Sequence, residues 1–185
     1  MNEEHKDEYI IKKIQSGDKD LYAVIIDRYN DKISRYVNRM LGAGDSATDI
    51  VQDVFIKTYI NIQSFDTERK FNSWIYRIAH NECINFYNKK KPIYMSMFEF
   101  DTILPHYNNV KDPGVVYIEK EDRDRMEKIL DKLDMKYREV IVLYYFEDLD
   151  YKEISLALSI PISTVGVRML RAKKILAKML TDFKI

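Results

Sequence analysis

The chain has 185 residues, 46% of them hydrophobic, with 30 Lys/Arg balanced by 30 Asp/Glu, enough for one larger domain or two small ones. No apolar run approaches the ~18 residues of a membrane span, the charged start MNEEHKDEY lacks a signal-peptide core, and a lone Cys83 excludes an internal disulfide; a cytosolic chain is expected. His5, His80 and His106 are scattered, and neither a glycine-rich phosphate loop nor a nucleophile beside a base is present, so no metal, cofactor or catalytic site is predicted and the chain is not read as an enzyme.

Five Gly and four Pro point to long helices, and helical periodicity holds almost throughout. A short helix is predicted over 6–15, stopping at Gly17. A long one follows over 19–41, with Leu21, Val24, Ile25, Tyr29, Ile33, Tyr36, Val37 and Met40 on its inner side. Gly42 and Gly44 end it. Ser46, with Asp49 three residues on, is predicted to cap the next helix, which runs to Asn61. A loop over 63–70 leads into a helix over 71–90. Residues 92–113 carry three prolines and no sustained periodicity, the pattern of an extended linker. Helices resume over 115–133 and 136–147.

The segment 150–174, DYKEISLALSIPISTVGVRMLRAKK, has the pattern of a helix-turn-helix. Asp150 and Glu153 stand at the spacing of a capping box. Ile154, Ala157 and Leu158 form an apolar stripe, and Ser159-Ile160-Pro161 breaks it. Ser163 is predicted to cap a second helix, with Val165, Met169 or Leu170, Ile175 or Leu176, and Met179 or Leu180 facing inward. Residues 151–185 carry seven Lys/Arg against two Asp/Glu, whereas 118–150 carry seven against eleven. The neutral total therefore hides a basic end, as phosphate contact requires.

These segments resemble the extracytoplasmic-function (ECF) group of bacterial sigma factors. DIVQDVF (49–55) is similar to the acidic D-x-V-Q-[DE]-x-F helix of that group, and FNSWIYRIAHN (71–81) to its F-x-x-W-[LI]-x-R-I-A-x-N helix. LDMKYREVIVLYYFEDLDYKEI (133–154) and TVGVRMLRA (164–172) resemble its C-terminal blocks. The resemblance implies an all-α protein of two small helical domains, 1–91 and 115–185, joined by a linker over 92–114. It implies core RNA polymerase and promoter DNA as partners, and an anti-sigma protein holding the chain inactive.

The site residues follow from that resemblance. Asp49, Gln52, Asp53 and Lys57, with Phe55 beside them, are expected to meet the polymerase. Phe65, Lys70, Arg77, Asn81, Lys89 and Lys90 lie in a segment that mixes basic and aromatic residues, as single-strand binding requires, and are expected at the minus-10 element. Trp74 and Ile78, one helical turn apart, are expected in the core. Ser163, Thr164, Gly166, Val167, Arg168, Arg171 and Lys174 are expected at the minus-35 element, where arginine can form two hydrogen bonds to guanine. Gly166 and Val167 depart from the family, which usually has a basic residue and a serine or threonine there; base preference at that element is open.

Two other readings remain: a helix-turn-helix regulator that binds operator DNA unaided, and a helical interaction protein that binds no DNA. The basic, aromatic segment 65–91 argues against the first, and the charge of the recognition helix against the second. With no heptad and no surplus apolar stripe, the free chain is expected to be a monomer without membrane insertion.

Overall fold

The computed structural model describes residues 6–42, 44–90 and 129–182. Among them are seven α-helices, two short 3-10 turns and no strand. The chain divides into two compact units, Met1–Lys90 with Leu156–Ser159 and Lys91–Ser155 with Ile160–Ile185. The predicted linker, and the predicted helix 115–133 up to residue 128, lie outside the described residues.

The first unit holds α1 (Asp7–Gln15), α2 (Tyr22–Leu41), α3 (Asp45–Asn61) and α4 (Phe71–Lys90). Gly17 comes after α1 at φ 117°, a backbone that residues with a Cβ rarely adopt, which explains the stop there. The predicted helix 19–41 opens instead as a 3-10 turn, Lys19–Leu21. Such a turn winds at about three residues per turn, so it shifts the phase of α2 behind it. Tyr22 is buried as a result, while Leu21 and Val24 are only half-buried. Ile25, Tyr29, Ile33, Tyr36, Val37 and Met40 are buried as expected. α2 packs on both α3 and α4, which also pack on each other. Ser46 does not cap α3. Gly44 precedes the helix and its carbonyl accepts the Ala47 N–H at 2.9 Å, so Ser46 lies inside the first turn.

Two buried phenols tie these helices together. Tyr22 Oη donates to the Phe55 carbonyl at 2.6 Å, joining α2 to α3. Tyr29 Oη donates to Asp7 Oδ2 at 2.7 Å, and Arg28 Nη1 meets the other oxygen of that carboxylate at 2.7 Å, joining α2 to α1. Burial pushes both phenols well above their ordinary value of 10.0, and the Asp7 charge adds to the effect at Tyr29. The folded protein thus keeps protons that the unfolded chain releases near that value. Stability is fully present below it and is lost as pH rises beyond it. A Tyr22→Phe, Tyr29→Phe double variant is expected to show a shallower alkaline loss of stability in denaturant titrations between pH 9 and 11 (about one unit either side of a free tyrosine). An unchanged slope would assign that loss to other groups.

The described chain beyond α4 holds α5 (Met135–Tyr145), α6 (Tyr151–Leu158) and α7 (Ile162–Asp182). Val140, Ile141, Val142 and Leu143 are all fully buried, so α5 is covered on every side. It ends earlier than predicted. Asp148 takes φ 55°, and the N–H groups of Glu147 and Leu149 turn back to the carbonyls of Val142 and Leu143. The capping box on α6 forms as its spacing predicts: the Glu153 N–H donates to Asp150 Oδ1 at 2.8 Å, and the Asp150 N–H to Glu153 Oε2 at 2.9 Å. Asp150→Ala is expected to cost about 1 kcal/mol of stability by denaturant unfolding, the usual worth of an N-cap side chain. Between α6 and α7, Ser155 Oγ donates to the Ile160 carbonyl at 2.6 Å, and the Ile160 N–H donates to the Ser155 carbonyl at 3.2 Å. The two helices meet at 106°, within the range of a helix-turn-helix.

Ser163 does not cap α7. The Pro161 carbonyl accepts the N–H groups of Thr164 and Val165 at 2.9 and 3.1 Å, and α7 begins one residue before Ser163. Proline suits a helix start because its missing N–H would have no partner there. Val165, Met169, Ala172 and Leu176 form the inner stripe of α7. Of the paired alternatives, Leu170 is exposed and Ile175 only half-buried.

Candidate nucleic-acid interface

On α3, each residue turns the helix by about 100°, which groups Asp49, Gln52, Asp53, Ile56 and Ile60 on one side. All five are exposed. Phe55 falls toward the opposite side. It is buried and its carbonyl holds Tyr22, so it is not a surface residue as expected. Lys57 lies at the flank, with its Nζ 2.6 Å from Glu82 Oε1 on α4. Ile56 is 56% and Ile60 68% exposed, and Tyr59 adjoins them. An apolar stripe is therefore left in solvent, contrary to the premise of the expected monomer. The spacing Gln52, Ile56, Ile60 carried that signal, because Ile50 and Val54 already fill the buried side.

The segment between α3 and α4 borders a concavity on the first unit. Phe65, Lys70, Ser73, Trp74 and Arg77 line it. Phe65, Phe71 and Trp74 form a ring cluster with centroids 5.0 to 5.6 Å apart. Phe65 is itself buried, so it backs the wall and leaves little face for stacking, while Trp74 is half-buried. Ile78 is half-buried as well. Ser73 is 4% exposed, and its hydroxyl has no hydrogen-bond partner among the described residues. No pattern in the sequence singles out Ser73. Three of the expected minus-10 residues (Phe65, Lys70 and Arg77) thus come together. Asn81 and Lys89 are exposed further along α4 and do not line the concavity, and Lys90 is the last residue of that helix.

On α7, Ser163 and Lys174 are exposed, and Thr164, Val167, Arg168 and Arg171 are half-buried. Helical spacing puts them on one side, with Arg168 at the edge nearest the inner stripe and its Nε buried. Gly166 is the exception. It lies beside Val165 and is buried, so it does not face outward as the DNA reading of that position supposes. Lys173 lies over the Tyr145 ring, 5.8 Å from its centre. Among the described residues, no group of three His, Cys, Asp or Glu could hold a metal ion.

Comparison with known proteins bears on these surfaces. The family Sigma-70 region 2 matches residues 25–93, and Sigma-70, region 4 matches residues 123–176. The chain is 41% identical over 178 residues to the ECF RNA polymerase sigma factor SigW of Bacillus subtilis (strain 168), covering 93% of this chain and 95% of that one. It is 29% identical over 183 residues to the ECF RNA polymerase sigma-E factor of Escherichia coli (strain K12), covering 94% of each. In fold it is similar to CnrH, solved in complex with the cytosolic domain of CnrY, at TM-score 0.69 and 22% identity over 95% of this chain and 97% of that one. It is also similar to the sigma factor RpoE from Bartonella quintana, solved with the anti-sigma factor NepR, at TM-score 0.64 and 20% identity over 86% and 96%. Two helical units, a helix-turn-helix with a basic outer side, and 41% identity to SigW over nearly the whole of both chains lead to one conclusion: the chain belongs to the ECF family of RNA polymerase sigma factors.

Proposed function

We propose that the chain divides the work of promoter-specific initiation among three surfaces: the exposed α3 stripe, the concavity beside α4, and the outer side of α7. The observation that carries this is the concavity, where the buried Ser73 hydroxyl, with no hydrogen-bond partner among the described residues, meets an aromatic wall with Lys70 and Arg77 beside it. An unstacked base needs those things together: an apolar wall, a polar atom for its edge, and cations for the backbone on either side. Asn81 and Lys89 continue the path of the strand along α4. On the α3 stripe, Ile56 and Ile60 supply the apolar contact with core polymerase, and Asp49, Gln52 and Asp53 give it register.

In the second unit, α7 enters the major groove. Arg168 and Arg171 approach base edges, Lys174 follows the same row, and the N–H groups at the start of α7 meet a phosphate. Gly166 has no part in base contact, and Val167 takes the place of the usual hydroxyl residue. The domains are 1–91 and 115–185, with the linker over 92–114. The protein supplies binding and carries out no bond chemistry of its own. It works in the cytoplasm, beside polymerase; no single described helix is long and apolar enough to cross a membrane. RpoE was solved in complex with the anti-sigma factor NepR, and an anti-sigma protein is the expected inhibitor here, covering the polymerase-facing side of α3 and the minus-35-facing side of α7.

Arg171→Ala tests the assignment of α7. It is expected to weaken holoenzyme binding to duplex minus-35 DNA by roughly 1–3 kcal/mol, with relaxed preference at one base pair. Affinity for single-stranded minus-10 oligonucleotide should not change. A uniform loss across all duplex sequences would make Arg171 a phosphate contact instead.

A further inference from the structure

We propose that α1 is a positioning element for the segment 62–71, holding the border of the concavity in its base-binding shape; this rests on the minus-10 reading given above. Three side chains of α1 meet that segment in antiparallel order. At the end of α1, Gln15 Nε2 donates to the carbonyls of Ile62 and Phe65 at 2.7 and 2.9 Å. In the middle, Lys12 Nζ meets Glu68 Oε1 at 3.2 Å. At its start, Glu8 Oε1 accepts the Phe71 N–H at 2.9 Å. Stepping backward along α1 therefore steps forward along the segment.

The three side chains are not equivalent. The Lys12 and Glu68 side chains are 56% and 83% exposed, and such a pair contributes little. Gln15 satisfies two partly buried carbonyls where the chain leaves α3, one of them on Phe65. Glu8 takes an N–H at the first turn of α4, where such groups lack helical partners and the helix dipole favours a carboxylate. The two ends of the segment are thereby tied to α1, which the Asp7 contacts fasten to α2. Neither Glu8 nor Gln15 lines the concavity. Each acts through the residue it holds, Phe65 or Phe71, and those rings back the wall. The Sigma-70 region 2 match begins at residue 25, beyond α1, so the tie is not part of that match.

The test uses the full chain bound to core polymerase and short labelled single strands from upstream of a mapped start. The strands differ at one base, and the readout is the ratio of their affinities. General attraction to phosphate is common to both strands and cancels in the ratio. Gln15→Leu removes both donors without changing charge, and Gln15→Lys restores donors. We expect the first to lower base preference about tenfold at unchanged polymerase affinity, with some loss of thermal stability because two partly buried carbonyls lose their donor, and the second to recover most of both. Glu8→Leu and Glu8→Gln form a second pair, the glutamine keeping an acceptor oxygen. The proposal is overturned if Gln15→Leu keeps the wild-type ratio, if Gln15→Lys is no better, or if polymerase affinity falls in the same proportion. A wild-type protein with no base preference would instead contradict the minus-10 reading itself.

Discussion

Ile56→Asp is expected to leave the protein folded while weakening its binding to core polymerase by roughly thirtyfold or more, the loss typical of a central interface residue. The Ile56 side chain is 56% exposed, so an aspartate there stays in water and unfolds nothing. On the docked surface the same carboxylate would be stripped of water beside Asp53 without a designed partner, which is costly. Phe55→Asp, one residue away, should behave oppositely. That ring is buried, and the charge would enter the core. Binding of labelled protein to core polymerase, set beside thermal melting of each variant, separates the two. An Ile56→Asp protein that binds normally would remove the α3 stripe from the polymerase interface.

The largest loss of stability should come from Phe71→Ala, at about 3–5 kcal/mol. Phe71 is fully buried, and its ring lies 5.3 Å from Tyr29 and 5.6 Å from both Phe65 and Trp74. Truncation leaves a cavity at the junction of α2, α4 and the segment before α4, where edge-on rings cannot close in without losing one another. A domain of this size is stable by only about 5–15 kcal/mol, so the variant should unfold at much lower denaturant concentration. The wall of the concavity should loosen with it, and single-strand affinity should fall before polymerase affinity does. A midpoint close to wild type would mean that the ring cluster carries little of the first unit's stability.

What could be read from the chain alone depended on how far apart the interacting residues are. The capping box of Asp150 and Glu153 joins residues three apart, and its geometry formed as the spacing implied. The caps expected from Ser46 and Ser163 failed for a local reason: in each case a neighbouring carbonyl, from Gly44 or Pro161, already starts the helix. Phe55 was misassigned to the surface because it sits among polar neighbours, although its angle around α3 turns it inward. Gly166 is likewise buried, although the motif marks its position. The ladder from α1 to the segment 62–71 had no signature at all. Its partners are 47 to 63 residues apart, and nothing in a glutamine or a glutamate announces which distant carbonyl or N–H it will meet. The family itself was legible because four motifs stand in order, each short enough to survive as a local pattern.

The most direct test is transcription in vitro, with core polymerase, a pool of promoter fragments, and either wild-type protein or the Ile56→Asp and Arg171→Ala variants. The account predicts new starts with wild type, almost none with Ile56→Asp, and starts of altered upstream sequence preference with Arg171→Ala. Absence of any start with wild type, together with a duplex DNA shift that needs no polymerase, would contradict it.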